Sequence, residues 1–124
     1  MASDEATGRT PEAHGPLPPA TFQILLALVD GERHGYAIMK EVAERSAGAV
    51  RLGPGTLYGT LKRLLDAGMV AESGERPDPG LGDERRRYYR ITPFGLAVVR
   101  ADARRMERMV EAARQKRLIG LEPA

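Results

Sequence analysis

Apolar positions along the chain fall into four stretches of helical spacing and one of strand-like alternation. In "TFQILLALVDGE", Phe22, Leu25, Leu26 and Val29 recur at helical spacing, and Pro18-Pro19 in front suits a helix start. Gly31 is the expected stop. Tyr36, Met39, Val42 and Ala43 carry the same period through "HGYAIMKEVAERSAG", which Gly48 should end. "AVRL", residues 49–52, has room for one small strand. In the next stretch, "RLGPGTLYGTLKRLLDAG", a turn of about 100° per residue gathers Leu57, Leu61, Leu64 and Leu65 on one side of a helix. That helix spans roughly 54–67 and closes at Gly68. Gly55, Gly59, Lys62 and Asp66 lie opposite the leucines, with Thr56, Tyr58, Thr60 and Arg63 on the flanks.

The period then changes. "MVAESGERPDPGLGDERRRYYRI" is β-prone at both ends and polar in the middle, with Pro, Gly and charged residues over 74–84. It predicts a hairpin with a long tip. In the returning strand, Tyr89 and Ile91 share one face, and Arg86, Tyr88 and Arg90 share the other. Thr92 as N-cap and Pro93 at the first helical position then open the longest helix. Along it Leu96, Val99, Ala103, Met106, Val110 and Ala113 alternate three and four residues apart, a heptad seam in need of a partner.

Helix, helix, short strand, helix, hairpin, long helix is the order of a winged helix-turn-helix. The predicted fold is therefore mainly α with a small β-hairpin wing, followed by a long C-terminal dimerisation helix. Residues 1–18, rich in Pro, Gly, Ala, Ser and Thr, read as a disordered tail. Residues 19–92 read as the winged domain, 93–120 as the dimerisation helix and 121–124 as a second tail. The third helix takes the recognition position. Its glycines fall on the outward face, where each costs about 1 kcal/mol of helix propensity relative to alanine and adds nothing to a core. A surface that approaches a partner's backbone closely would offset that cost, and the free N–H groups at the helix start favour phosphate.

Charge sharpens this picture. The chain of 124 residues carries a net +2, but the distribution is uneven. Over residues 85–117, eleven Arg and Lys face three acidic residues, leaving +8. Such a basic half suits a polyanion. Lys62 and Arg63 can reach phosphates or guanine edges, Tyr58 can donate to phosphate, and "ERRRYYR" places Arg85, Arg86 and Arg87 together on the wing. There is no cysteine, and His14 and His34 are far apart, so neither a zinc–thiolate site nor any other metal or cofactor site is expected. No catalytic pattern of His, Cys or Ser is present, which argues against an enzyme. Without an apolar run of about 18 residues or a signal core, the expected setting is cytoplasmic, with no membrane partner.

"ILLALVDGERHGYAIMKEV", "GPGTLYGTLKRLLDAGMV" and "RRRYYRITPFG" together resemble the PadR family of bacterial transcriptional regulators, over residues 20 to about 100. The resemblance implies a homodimeric repressor that pairs through its last helix and binds palindromic double-stranded operators. It places DNA contacts on Tyr36, on Pro54, Gly55, Thr56, Tyr58 and Lys62, and on the Arg85–Arg87 run. The outward face adds Gly59, Thr60 and Arg63 as DNA-binding candidates. Gly53 stands where the family often has Ser, which removes a capping hydroxyl. The single C-terminal helix matches the small subfamily, whose members often answer to a small-molecule effector. Met106 and Met109 are the candidate ligand contacts, because methionine accommodates varied shapes. The alternative is a winged-helix protein–protein module without DNA binding. The Arg-rich wing and outward Lys62 and Arg63 favour DNA.

Overall fold

The computed structural model describes residues 10–77 and 85–120. A 3-10 turn at Pro11–His14 precedes helix α1 (Pro19–Ala27). Strand β1 (Arg33–His34), helix α2 (Gly35–Arg45) and helix α3 (Pro54–Asp66) follow. Strands β2 (Val70–Pro77) and β3 (Arg85–Ile91) form the wing, and helix α4 (Pro93–Gln115) ends the fold. The three strands make one antiparallel sheet in the order β1-β3-β2. This is the winged-helix arrangement that the element order predicts.

The core forms where α1, α2, α3, the wing base and the first turns of α4 meet. Ile24, Leu25, Ile38, Val42, Leu57, Leu61 and Val98 are buried there. The α3 leucines pack as their spacing requires: Leu57, Leu61 and Leu64 are buried, and Leu65 packs at the edge. Two other faces differ from the sequence expectation. In α1 the buried residues are Ile24, Leu25 and Ala27; just past its end Leu28 is buried and Val29 is exposed. That helix is apolar on nearly every side, so its period could not select a face. The helix also ends at Ala27 rather than at Gly31. In α2 the core face is Gly35, Ile38 and Val42, and Tyr36 points outward.

Residues 49–52 form no strand. The Ser46 hydroxyl donates to the Val42 carbonyl (2.9 Å) and accepts the Val50 N–H (2.9 Å), which closes a turn between α2 and α3 instead. The small strand lies earlier, at Arg33–His34, where it pairs with Tyr88 and Tyr89 of β3. Arg33 anchors it by donating to the Ala27 carbonyl (2.7 Å) and pairing with Glu41 (2.7 Å).

The corner between α3 and α4 is tightly locked. Thr92 caps α4 by accepting the Gly95 N–H (3.0 Å), and its hydroxyl donates to the Gly68 carbonyl (2.6 Å). The Thr92 N–H donates to the Met69 carbonyl (3.0 Å). A Cβ on Gly95 would collide with that same carbonyl, so only glycine fits.

Residues 10–18, assigned by composition to a loose tail, lie against α4. Asp102 is buried on that helix and accepts from Arg105 Nε (2.7 Å) and from the Leu17 N–H (3.3 Å). His14 meets Phe94 edge-on at 5.2 Å. A buried carboxylate requires such partners, and the chain supplies one from each side. The rest of that tail, residues 1–9, the hairpin tip at 78–84 and the tail at 121–124 fall outside the described residues.

Candidate nucleic-acid interface

Three segments converge on one face: the start of α2, the outward side of α3, and the wing. His34 sets the first. Its Nδ1 accepts the Ala37 N–H (3.1 Å), so the imidazole itself is the N-cap of α2. That aims Tyr36 outward, 55% exposed, with the Arg86 guanidinium 5.3 Å from its ring. α3 is joined to α2 by close approach, for the Tyr58 hydroxyl sits where a Cβ on Gly35 would be. Tyr58 nevertheless keeps 48% of its surface exposed.

The α3 glycines are open. A Cβ would meet nothing within 4 Å at Gly53 or Gly55, and only Arg63 Nη1, at 3.8 Å, at Gly59. None of the three is demanded by packing or by a left-handed backbone. Pro54, Thr56, Lys62 and Arg63 are exposed around them. Thr60 departs from the expectation: it is 2% exposed, and its hydroxyl accepts from Arg63 Nη2 (3.1 Å). It supports Arg63 from beneath and cannot itself touch a partner.

Across a groove of about 320 Å³ from α3 stands the wing, with Tyr58, Lys62, Asp66, Glu72, Arg87 and Tyr89 among the lining residues. Lys62 pairs with Asp66 (3.7 Å) on the helix wall. On the wing wall Arg87 pairs with Glu75 (3.4 Å) and Glu72 (3.8 Å). The Glu72 charge first, then the Glu75 hydrogen bond, raises the Arg87 pKa further above its ordinary value. The Arg85 side chain lies outside the described residues.

On the opposite face of the wing, Arg76 lies 4.1 Å over the Tyr88 ring and pairs with Glu32 (2.7 Å). His34 meets Tyr88 edge-on at 5.3 Å. The Arg76 hydrogen bond, followed by one from Ser73, holds Glu32 down at about 2. Sequence reasoning missed Arg76 and Glu32, which lie 44 residues apart and meet only through the strand register.

The α4 seam also divides. Val99 is 4% exposed and belongs to the core of its own chain, and Leu96 packs on that core. Val99 is not free to face a partner, because the first turns of α4 cover the winged body, whereas Leu96 is only partly covered. Ala103, Met109 and Val110 are exposed, and Met106 and Ala113 are half-buried. Leu118 and Ile119, absent from the sequence reading, are exposed just past the helix. Among the described residues no His, Cys, Asp or Glu group could hold a metal, and no helix is long and apolar enough to cross a membrane.

Comparison with known proteins gives a consistent result. The model of the family described as "Transcriptional regulator PadR-like family" matches residues 24–101. The transcriptional regulator Rv3488 of Mycobacterium tuberculosis is 37% identical over 88 residues, covering 71% of this chain and 76% of that protein. An uncharacterized 37.1 kDa protein in transposon TN4556 of Streptomyces fradiae is 37% identical over 90 residues, 73% of this chain. The matched part spans only 24% of that larger protein. Among solved structures, a transcriptional regulator of Clostridium thermocellum superposes with a TM-score of 0.63 at 26% identity, covering 78% of this chain and 90% of that one. PadR of Bacillus subtilis, in complex with operator DNA, superposes with a TM-score of 0.58 at 20% identity, covering 88% and 51%.

Proposed function

The chain belongs to the PadR-like family of transcriptional regulators, and from that premise we propose that it acts as a homodimeric repressor on palindromic duplex DNA. It is a regulator rather than an enzyme. PadR regulators bind operator DNA, as the complex of the Bacillus subtilis protein illustrates.

One observation carries the reading. Tyr36, Tyr58 and Lys62 are exposed near three helix-start and mid-helix glycines that no internal contact requires, and the half-buried Arg86 lies 5.3 Å from the Tyr36 ring. In this reading α3 enters the major groove with Gly55 and Gly59 against the DNA backbone, and Pro54 and Thr56 at its leading end. Lys62 and Arg63 meet phosphates or base edges, Tyr36 flanks them, and Arg85, Arg86 and Arg87 clamp the backbone from the wing. Thr60 is reassigned from a DNA contact to the support of Arg63.

The dimer uses the distal half of α4, where Met106, Val110 and Ala113 continue the apolar face past the winged body, with Ala103 at its near end. Met109 and Met106 are the contacts for a small-molecule effector that would release the repressor. Selection of bound fragments from genomic DNA, followed by fluorescence anisotropy on the winners, tests the proposal. Saturable binding with a steep salt dependence and a palindromic consensus is expected. Equal weak binding to every fragment would favour the protein-interaction alternative.

A further inference from the structure

β2 carries an irregularity that decides where its carboxylates point. Its register with β3 runs Glu72↔Tyr89, then Gly74↔Tyr88 and Glu75↔Arg87, so Ser73 is an extra residue. Gly74 has φ +113°, a left-handed backbone that favours glycine. In a regular strand Glu72 and Glu75, three residues apart, would occupy opposite faces. The bulge brings both to the face of Tyr89 and Arg87, the one that lines the groove against α3. Both then reach the same guanidinium, at 3.8 and 3.4 Å.

The groove is therefore not a bare cationic slot. On its walls Lys62 and Arg87 are matched by Asp66 and Glu72, two charges of each sign, and Glu75 adds a second carboxylate on Arg87. Phosphate entering there competes with the carboxylates already paired with Arg87.

We propose that Glu72 and Glu75 are affinity-setting residues that occupy Arg87 as internal phosphate surrogates, so that DNA docking on this wing is an exchange of ion pairs and not simple neutralisation. This rests on the DNA-binding reading above. An arginine that trades a carboxylate for a phosphate releases fewer counterions per contact than a free one. The protein thus binds duplex DNA more weakly, and with a shallower salt dependence, than its basic count implies.

The test uses the full chain and a fluorescein-labelled mixed-sequence duplex, titrated over a series of salt concentrations. Glu72→Gln/Glu75→Gln should bind about two- to five-fold more tightly per pair removed, the range expected for exposed ion pairs. Its salt slope should steepen by a fraction of the roughly 0.9 that one whole phosphate contact carries, because Arg87 meets the same phosphate with no carboxylate to release. Glu107→Gln/Glu111→Gln, on the outer side of α4, makes the same change in net charge and should leave the slope unchanged. In an Arg87→Gln background the Glu72/Glu75 gain should vanish. An equal gain in the α4 control, or a gain that persists without Arg87, would overturn the exchange and leave only a general charge effect. Binding by none of these proteins would overturn the DNA-binding reading itself.

Discussion

Replacing Gly95 by alanine sets two physical effects against each other. Helix propensity alone favours the change, by at most about 1 kcal/mol. The structure opposes it, because the new methyl would enter the Met69 carbonyl, which is main chain and already accepts the Thr92 N–H. Relief requires α4 to shift, and Thr92 then loses its cap on Gly95. The cap is worth about 0.5–2 kcal/mol and the partly buried carbonyl bond about 1–3. With the propensity gain subtracted, the net is destabilisation by about 2 kcal/mol. At about 4 °C or more per kcal/mol for a domain near this size, Tm should fall by about 8 °C. Gly59→Ala is the matched control. Its methyl meets only Arg63 Nη1 at 3.8 Å, so it should raise stability by about 0.5–1 kcal/mol. Thermal melts followed by circular dichroism compare the two. A Gly95→Ala protein that melts at or above the wild type would refute the corner contact as the reason for glycine there.

Gly59→Glu should melt close to the wild type yet lose operator binding, since a carboxylate would stand at the centre of the outward face; anisotropy and melting measured on one sample decide it. Val110→Asp, on the exposed distal turns of α4, should sediment as a monomer at micromolar concentration while retaining the winged body. Persistence as a dimer would move the interface elsewhere. Glu32 provides a pH prediction. Its folded pKa of about 2 lies below the ordinary 4.5, so its contribution is present above pH 4.5 and is lost as pH falls toward 2. Denaturant midpoints should therefore fall more steeply across that window in the wild type than in Glu32→Gln.

Amphipathic contrast determined what could be read in advance. α3 alternates leucine with glycine and charge, and its buried face came out as Leu57, Leu61 and Leu64. Thr92-Pro93 marked the start of α4 for the same local reason. α1 offers no such contrast, and its inward face is set by neighbours alone. The seam of α4 is a single apolar period, yet its first part serves the chain's own core at Val99 and only the remainder is uncovered. Periodicity cannot locate where the winged body ends. The same holds for Thr60, whose hydroxyl is buried because Arg63 folds over it. The docked segment at 10–18 depends on Asp102, a single carboxylate among the arginines of α4, and nothing local announces its burial. Gly74 was the one visible sign that the wing would bulge, in a stretch where every glycine also fits a turn.

The locked corner at Thr92 and Gly95 has a mechanical consequence. α4 runs for 23 residues, at about 1.5 Å of rise each, so it is about 35 Å long; its first turns are packed on the winged body as far as Asp102, and roughly 20 Å extends beyond. A tilt of roughly 3° where it leaves the body carries the far end sideways by about an ångström over that length. With no side chain at Gly95 and a main-chain carbonyl seated in its place, the corner has little compliance. The direction in which α4 leaves the winged body is therefore set at this corner by main-chain contacts, and small errors there are magnified at the tip.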